Sequence, residues 1–159
     1  MSGQRTLFKN ESEFETHIYG LVEFALESIS QIDFVLLENK RVADIVICRE
    51  TKQPAIFFLE AKYHMHKNGR IGICSSQGAG FQPEILSKRP KYFDSKFMWV
   101  LSGDFTDKIY LLNNEKAASY VSGGSIGSKH NNFKRSLFDK EKSLSEQEFV
   151  TEIISWLSK

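Results

Sequence analysis

Three residues in the first half of the chain have the types and spacing to do chemistry together: Asp44, then Glu60 and Lys62. Asp44 lies in the run RVADIVIC and the other two in AIFFLEAKY, and both runs read as β-strands. Side-chain alternation puts Glu60 and Lys62 on one face, and a hairpin pairing brings Asp44 beside them. Two carboxylates with the carbonyl oxygen of Ala61 between them are hard donors suited to Mg²⁺, with Mn²⁺ as a substitute, and they leave coordination positions open. A metal so placed beside a phosphodiester neutralises charge on the phosphoryl oxygens and lowers the pKa of a bound water. Lys62 is placed to hold or deprotonate that water. The competing reading is a plain ion pair of Glu60 with Lys62, and an Asp44 that satisfies a turn or a backbone donor. Burying three charges in strands this apolar is costly without compensation, which favours the metal.

The elements that must position these residues are legible from periodicity. From Asn10 to Ser30, Phe14, Ile18, Leu21, Val22, Ala25 and Ile29 recur at three- and four-residue steps and predict an amphipathic helix. Its start is open, since Asn10 with Glu13 and Ser12 with Glu15 both have capping-box spacing. IDFVLLEN and RVADIVIC follow as a hairpin, and Pro54 opens the third run, whose near-continuous apolarity predicts a strand covered on both faces. The glycines 69, 72, 78 and 80 punctuate a loop, a short helix is expected near Pro83 to Lys88, and FMWVLS and IYLLN read as further strands. SGGSIGSKHNNFKR, from Ser122 to Arg135, reads as a loop. The last helix has the clearest start: Ser145 and Glu148 form a capping box, and Leu144 and Phe149 occupy the positions of a hydrophobic staple. The expected class is α/β, a mixed central β-sheet flanked by helices, in one domain spanning residues 1–159.

At Asp44 in ADIVI and Glu60, Ala61 and Lys62 in FFLEAKY, the chain resembles the PD-(D/E)xK nuclease superfamily, over about Asn10 to Ser102. Ala43 stands where that family usually has proline, a departure that removes no ligand. The resemblance implies a restriction-endonuclease-like core and Mg²⁺-dependent hydrolysis of DNA, with Asp44 and Glu60 as metal ligands and Lys62 as the catalytic lysine. It further implies an acidic residue from the first helix near the metal. Glu11, Glu13, Glu15, Glu23 and Glu27 compete, and at ~100° per residue Glu15 falls on the flank of the apolar stripe, so Glu15 is the expected residue, against its alternative as a partner of Ser12. Gln77 and Gln82 resemble a glutamine that several branches use to position metal or substrate, and Gln77 is favoured.

The balance of 21 Lys and Arg against 20 Asp and Glu gives a net charge of +1 and no whole-molecule field that announces a partner. The distribution is uneven. Glu11 to Glu38 holds seven acidic residues and no Lys or Arg, whereas Lys62 to Lys91 holds six basic residues against Glu84 alone. His64, His66, Lys67, Arg70, Lys88, Arg89 and Lys91, with Lys129, Lys134 and Arg135 from the later loop, are therefore candidate contacts to a nucleic-acid backbone. Tyr63, Phe81, Tyr92 and Phe93 suit base stacking or, more often for such positions, core packing.

At 159 residues with 41% hydrophobic and 26% charged content, the chain has the composition of a folded globular domain. Two cysteines, no secretory pattern at the N-terminus and no long apolar run predict a cytoplasmic protein without a membrane segment or small-molecule cofactor. A homodimer is expected by analogy with small nucleases, as are roles in restriction, defence or repair. The alternatives are a catalytically idle DNA-binding module on the same fold, and a zinc-stabilised interaction domain built on Cys48, His64, His66 and Cys74.

Overall fold

The computed structural model describes residues 8–30, 32–39, 43–50, 53–66, 71–72, 95–121 and 132–159. Of the sequence candidates, Lys67, Arg70, Cys74, Gln77, Phe81, Gln82, Lys88, Arg89, Lys91, Tyr92, Phe93 and Lys129 lie outside the described residues, as does the short helix expected near Pro83. Along the chain the elements are α1 (Glu11–Glu27), β1 (Phe34–Asn39), β2 (Ala43–Arg49), β3 (Ala55–His64), β4 (Ile71–Gly72), β5 (Phe97–Gly103), β6 (Tyr110–Asn113), α2 (Asn114–Ser119), β7 (Asn132–Phe133), α3 (Leu137–Lys140) and α4 (Glu146–Ser158). Five strands make one mixed sheet in the order β1-β2-β3-β5-β6, and β4 pairs with β7 in a small separate ladder. Among the described strands of this sheet, β3 and β5 run parallel and the other neighbours are antiparallel.

The α1 start is settled in favour of Asn10, whose side chain accepts the N–H of Glu13 at 2.9 Å while Glu13 accepts the N–H of Lys9 at 2.9 Å. Phe14, Ile18, Val22 and Ala25 form its buried stripe. At α4 both bonds of the Ser145–Glu148 capping box are made, and Leu144 and Phe149 are buried. These two helices cover one face of the sheet. Ile45, Ile47, Phe57, Leu59, Ala61, Tyr63 and Val100 meet Phe14, Ile18, Phe149, Ile153 and Leu157 in one core.

On the opposite face, a second core gathers Phe97, Trp99, Leu101, Tyr110 and Leu112 under Ala117, Phe133 and Leu137. Among the described residues it is centred on β5 and β6 and reaches Phe58 of β3 and Ala43 of β2. Toward β1 the same face carries Val35, Leu37 and Ile56, all exposed. The continuous apolarity of β3 therefore reflects its central place in the sheet, but its first turns are not covered on both faces as expected. No helix among the described residues is long and apolar enough to cross a membrane.

Candidate functional site

The β2–β3 ladder runs from Arg49 opposite Ala55 to Ile45 opposite Leu59. At the following positions carboxylates bridge the two strands. The N–H of Ala61 donates to Asp44 Oδ2 at 2.8 Å, and the N–H of Asp44 donates to Glu60 Oε2 at 3.3 Å. Side chains thus satisfy backbone groups at the point where the strands separate, and both carboxylates are held by the chain they serve. Asp44, Glu60 and Lys62 meet on one face, and the Ala61 side chain turns into the core beneath α1.

Lys62 Nζ lies 3.2 Å from Glu60 Oε1 and 3.6 Å from Glu11 Oε1. Glu11 is also anchored to β3, accepting the N–H of Tyr63 at 3.3 Å. The helix carboxylate beside the lysine is therefore Glu11 rather than the expected Glu15. Helical phase chose the correct flank, since Glu15 lies one turn further along it. What phase does not contain is that α1 begins against the end of β3, so that the first helical residue makes the contact. The unpaired amides of that first turn favour a carboxylate there.

Three carboxylates surround one ammonium. Burial pushes the Asp44 carboxyl above its ordinary range and Glu11 adds to this, against the opposing pull of the Ala61 N–H, Lys62 and a hydrogen bond with Glu60. For Lys62, burial pulls the amine down, but Glu60, then Glu11 and Asp44, outweigh it, and the net displacement is upward. The carboxylates thus favour the charged form of Lys62, which suits holding a water or phosphoryl oxygen.

The donor set suits a hard divalent cation. Asp44 and Glu60 are fixed oxygen donors, and negative charge exceeds positive in a largely buried place. Among the described residues no group of three or more His, Cys, Asp and Glu side chains is gathered to hold an ion. The arrangement that fits is accordingly a two-carboxylate site with the remaining positions left to water and substrate.

The histidines separate. His64 ends β3 and is buried, with Phe105 and His66 rings at 6.1 and 6.2 Å, so it does not present an imidazole to a nucleic-acid backbone as expected. Gly103 permits this closeness: a Cβ there would stand 2.9 Å from the His64 carbonyl oxygen and overlap the Phe105 ring. His66, beyond the strand, is 62% exposed at its side chain. Lys134 and Arg135 are exposed, and Arg135 Nη2 lies 3.4 Å from His66 Nδ1. Asp104, which sequence reasoning missed, ties this corner together, accepting the N–H of His66 at 2.9 Å and donating its own N–H to the His64 carbonyl at 3.0 Å. Its one sequence signal is an acid just past the end of an apolar strand. Tyr63 is core, packed with Phe8 and Phe14.

The zinc arrangement does not form as expected. Cys48 stands opposite Ile56, eight residues from His64 along β3, or about 26 Å at the usual rise, far more than one ion spans.

Comparison of the sequence with known protein families and with curated proteins finds no match.

Proposed function

We propose that this protein is a Mg²⁺-dependent deoxyribonuclease with a restriction-endonuclease-like core, hydrolysing phosphodiester bonds at Asp44, Glu60 and Lys62. One observation carries the reading: two carboxylates from neighbouring strands converge where the ladder opens, with an ammonium 3.2 Å from one of them. Such a site offers oxygen donors to a metal and a fixed positive charge to a phosphate. Asp44 and Glu60 would hold the ion, with the Ala61 carbonyl as the third expected donor. A bound Mg²⁺ supplies charge neutralisation at the phosphoryl oxygens and a water of lowered pKa.

The chain's own residues do the rest. The Ala61 N–H orients Asp44, and the Asp44 N–H orients Glu60. Glu11 and Glu60 keep Lys62 charged and aimed at the same spot. A phosphate placed there meets one ammonium, which stabilises the developing negative charge without a proton transfer from the lysine.

The test is conversion of supercoiled plasmid to nicked and linear forms in Mg²⁺. Asp44→Ala, Glu60→Ala and Lys62→Ala should each lower the rate by about a thousandfold, the scale of removing a principal electrostatic contributor. Variants that cut as fast as the parent refute the assignment. Binding of DNA without any turnover by the parent protein favours the idle binding module.

A further inference from the structure

We propose that His66 and Arg135 form a phosphate-binding site that holds the nucleic-acid backbone away from the cleavage centre, with Asp104 as its positioning residue. The identity of the phosphate source rests on the nuclease reading; the site itself rests on its own geometry. The two residues are 69 positions apart in sequence and meet at 3.4 Å, at the end of β3 and just before α3. Both are exposed, so their approach is not forced by core packing.

The imidazole is aimed by its neighbours. Nδ1 faces inward, 3.4 Å from Arg135 Nη2 and 3.9 Å from Asp104 Oδ1, an oxygen that is buried and makes no hydrogen bond. The backbone N–H of His66 is held by the other Asp104 oxygen. Phe105 flanks the ring at 6.3 Å. Nε2 is on the far side of the ring from Nδ1, and the side chain is 62% exposed. When the Arg135 guanidinium donates to Nδ1, the imidazole proton resides on Nε2. When the ring is doubly protonated, Nδ1–H has the Asp104 oxygen as acceptor and Nε2 still carries its proton. In both states Nε2 carries a proton and can act as a donor. Arg135 has further N–H groups beyond the one directed at His66 and matches a phosphate with two of them.

The spacing fits a continuous strand of nucleic acid. His66 follows Lys62 by four residues, a separation of at most about 13 Å for an extended chain, which is the reach of roughly two successive phosphate steps along one strand of a duplex. A duplex with its scissile phosphate at Asp44 and Glu60 can thus place a second phosphate of the same backbone at His66 and Arg135. Asp104 contributes no contact to the ligand. Its Oδ2 and its N–H fix the segment that carries His66.

The experiment measures binding of a labelled DNA duplex by fluorescence anisotropy across a salt series, with Ca²⁺ in place of Mg²⁺ to separate binding from turnover. Arg135→Ala should weaken binding about tenfold and reduce the slope of log K against log salt by about 1. His66→Ala should weaken it about threefold, and Asp104→Asn should reproduce the His66→Ala effect without changing the salt slope. Lys159→Ala, an exposed charge at the chain end, controls for net charge and should leave both quantities unchanged. Thermal melting of each variant confirms folding, and Arg135, being exposed, should melt as the parent does. A duplex too short to reach from the carboxylates to His66 should be bound equally by parent and Arg135→Ala. Unchanged affinity and slope in both Arg135→Ala and His66→Ala overturn the proposal, and if Asp44→Ala still abolishes plasmid cleavage the nuclease reading survives that failure. Competition by inorganic phosphate or a mononucleotide as strong as by duplex overturns the strand assignment in favour of a free-phosphate site. A parent protein that binds no duplex overturns the proposal directly, whereas cleavage is read separately in the plasmid assay.

Discussion

The two halves of β3 are built on opposite terms. From Ala55 to Leu59 the strand is laddered to β2, its residues are apolar, and on one face Phe57 and Leu59 are sealed beneath α1 and α4. From Glu60 to His64 the ladder to β5 continues while the ladder to β2 has ended, and the same strand carries a buried acid, a buried lysine and a buried histidine. The difference shows what a sheet needs in order to hold charge. Where the β2 ladder ends, backbone donors need acceptors, and Asp44 and Glu60 supply them. Those bonds and Lys62 offset part of their desolvation, so charge accumulates here at a place where the backbone has a use for it.

Substitution of each half should break this contrast in a different way. Phe57→Ala removes a fully buried ring that meets Trp156 edge-on at 5.0 Å, and should cost about 4 kcal/mol by urea unfolding. Lys62→Met should cost about 3 kcal/mol at neutral pH, because it strands the buried Glu60 carboxylate; exposure of Glu11 keeps the loss toward the lower end for a broken buried pair. The two losses separate on acidification. The Phe57 deficit persists, whereas the Lys62 deficit narrows as the carboxyls take up protons and need no counter-charge. Equal pH dependence of the two would show that Lys62 is held by packing of its stem rather than by charge.

Asp44→Asn sharpens the same point with a smaller effect of opposite sign. Burial raises the folded-state pKa of Asp44. A carboxyl whose pKa is raised on folding favours the native state below its unfolded pKa, and that contribution is lost as pH climbs through the folded value. Ionised Asp44 therefore weakens the native state at neutral pH. The amide removes this while its oxygen still accepts the Ala61 N–H, so the melting temperature should rise by a few degrees at neutral pH, at about 2–4 °C per kcal/mol, and the gain should vanish in acid. Cleavage should be lost in the same variant. Because protons and metal compete for the same oxygens, divalent-ion affinity of the parent should fall as pH is lowered, which isothermal titration can follow. A variant that melts lower than the parent at neutral pH contradicts the burial argument.

Much of this was written in local pattern. The apolar steps of α1 name its buried face, the Ser145 and Glu148 pair names the start of α4, and alternation puts Glu60 and Lys62 together. What alternation cannot state is where pairing ends, because period two reads the same on a laddered strand and a separating one. Ile56 and Glu60 occupy one face, yet one is open to solvent and the other buried. His64 and His66 have the spacing of strand neighbours, but β3 ends between them and their exposures diverge. Glu11 and Glu15 differ by one helical turn, a choice made by where α1 meets the sheet. The short α2 carries a local signal too, for Asn113 caps it by accepting the N–H of Lys116 at 2.8 Å. Four-residue α3 left almost none.

The smallest effect belongs to Ile56, at the opposite end of the strand from the acids. It is 52% exposed, on the face that Val35 and Leu37 share toward β1 and that the second core does not reach. Ile56→Thr keeps a β-branched side chain and gives up apolar surface that is already half in water, so stability should change by less than about 0.5 kcal/mol and cleavage not at all. The comparison is demanding because Phe57, the next residue, is expected to cost about 4 kcal/mol when truncated. A sheet strand with one sealed face and one open face must show this alternation between adjacent positions. If Ile56→Thr instead lowers stability by 2 kcal/mol or more, the outer face of the β1–β3 hairpins is covered in solution, and the division of β3 into an apolar ladder and a charged opening would have to include whatever covers it.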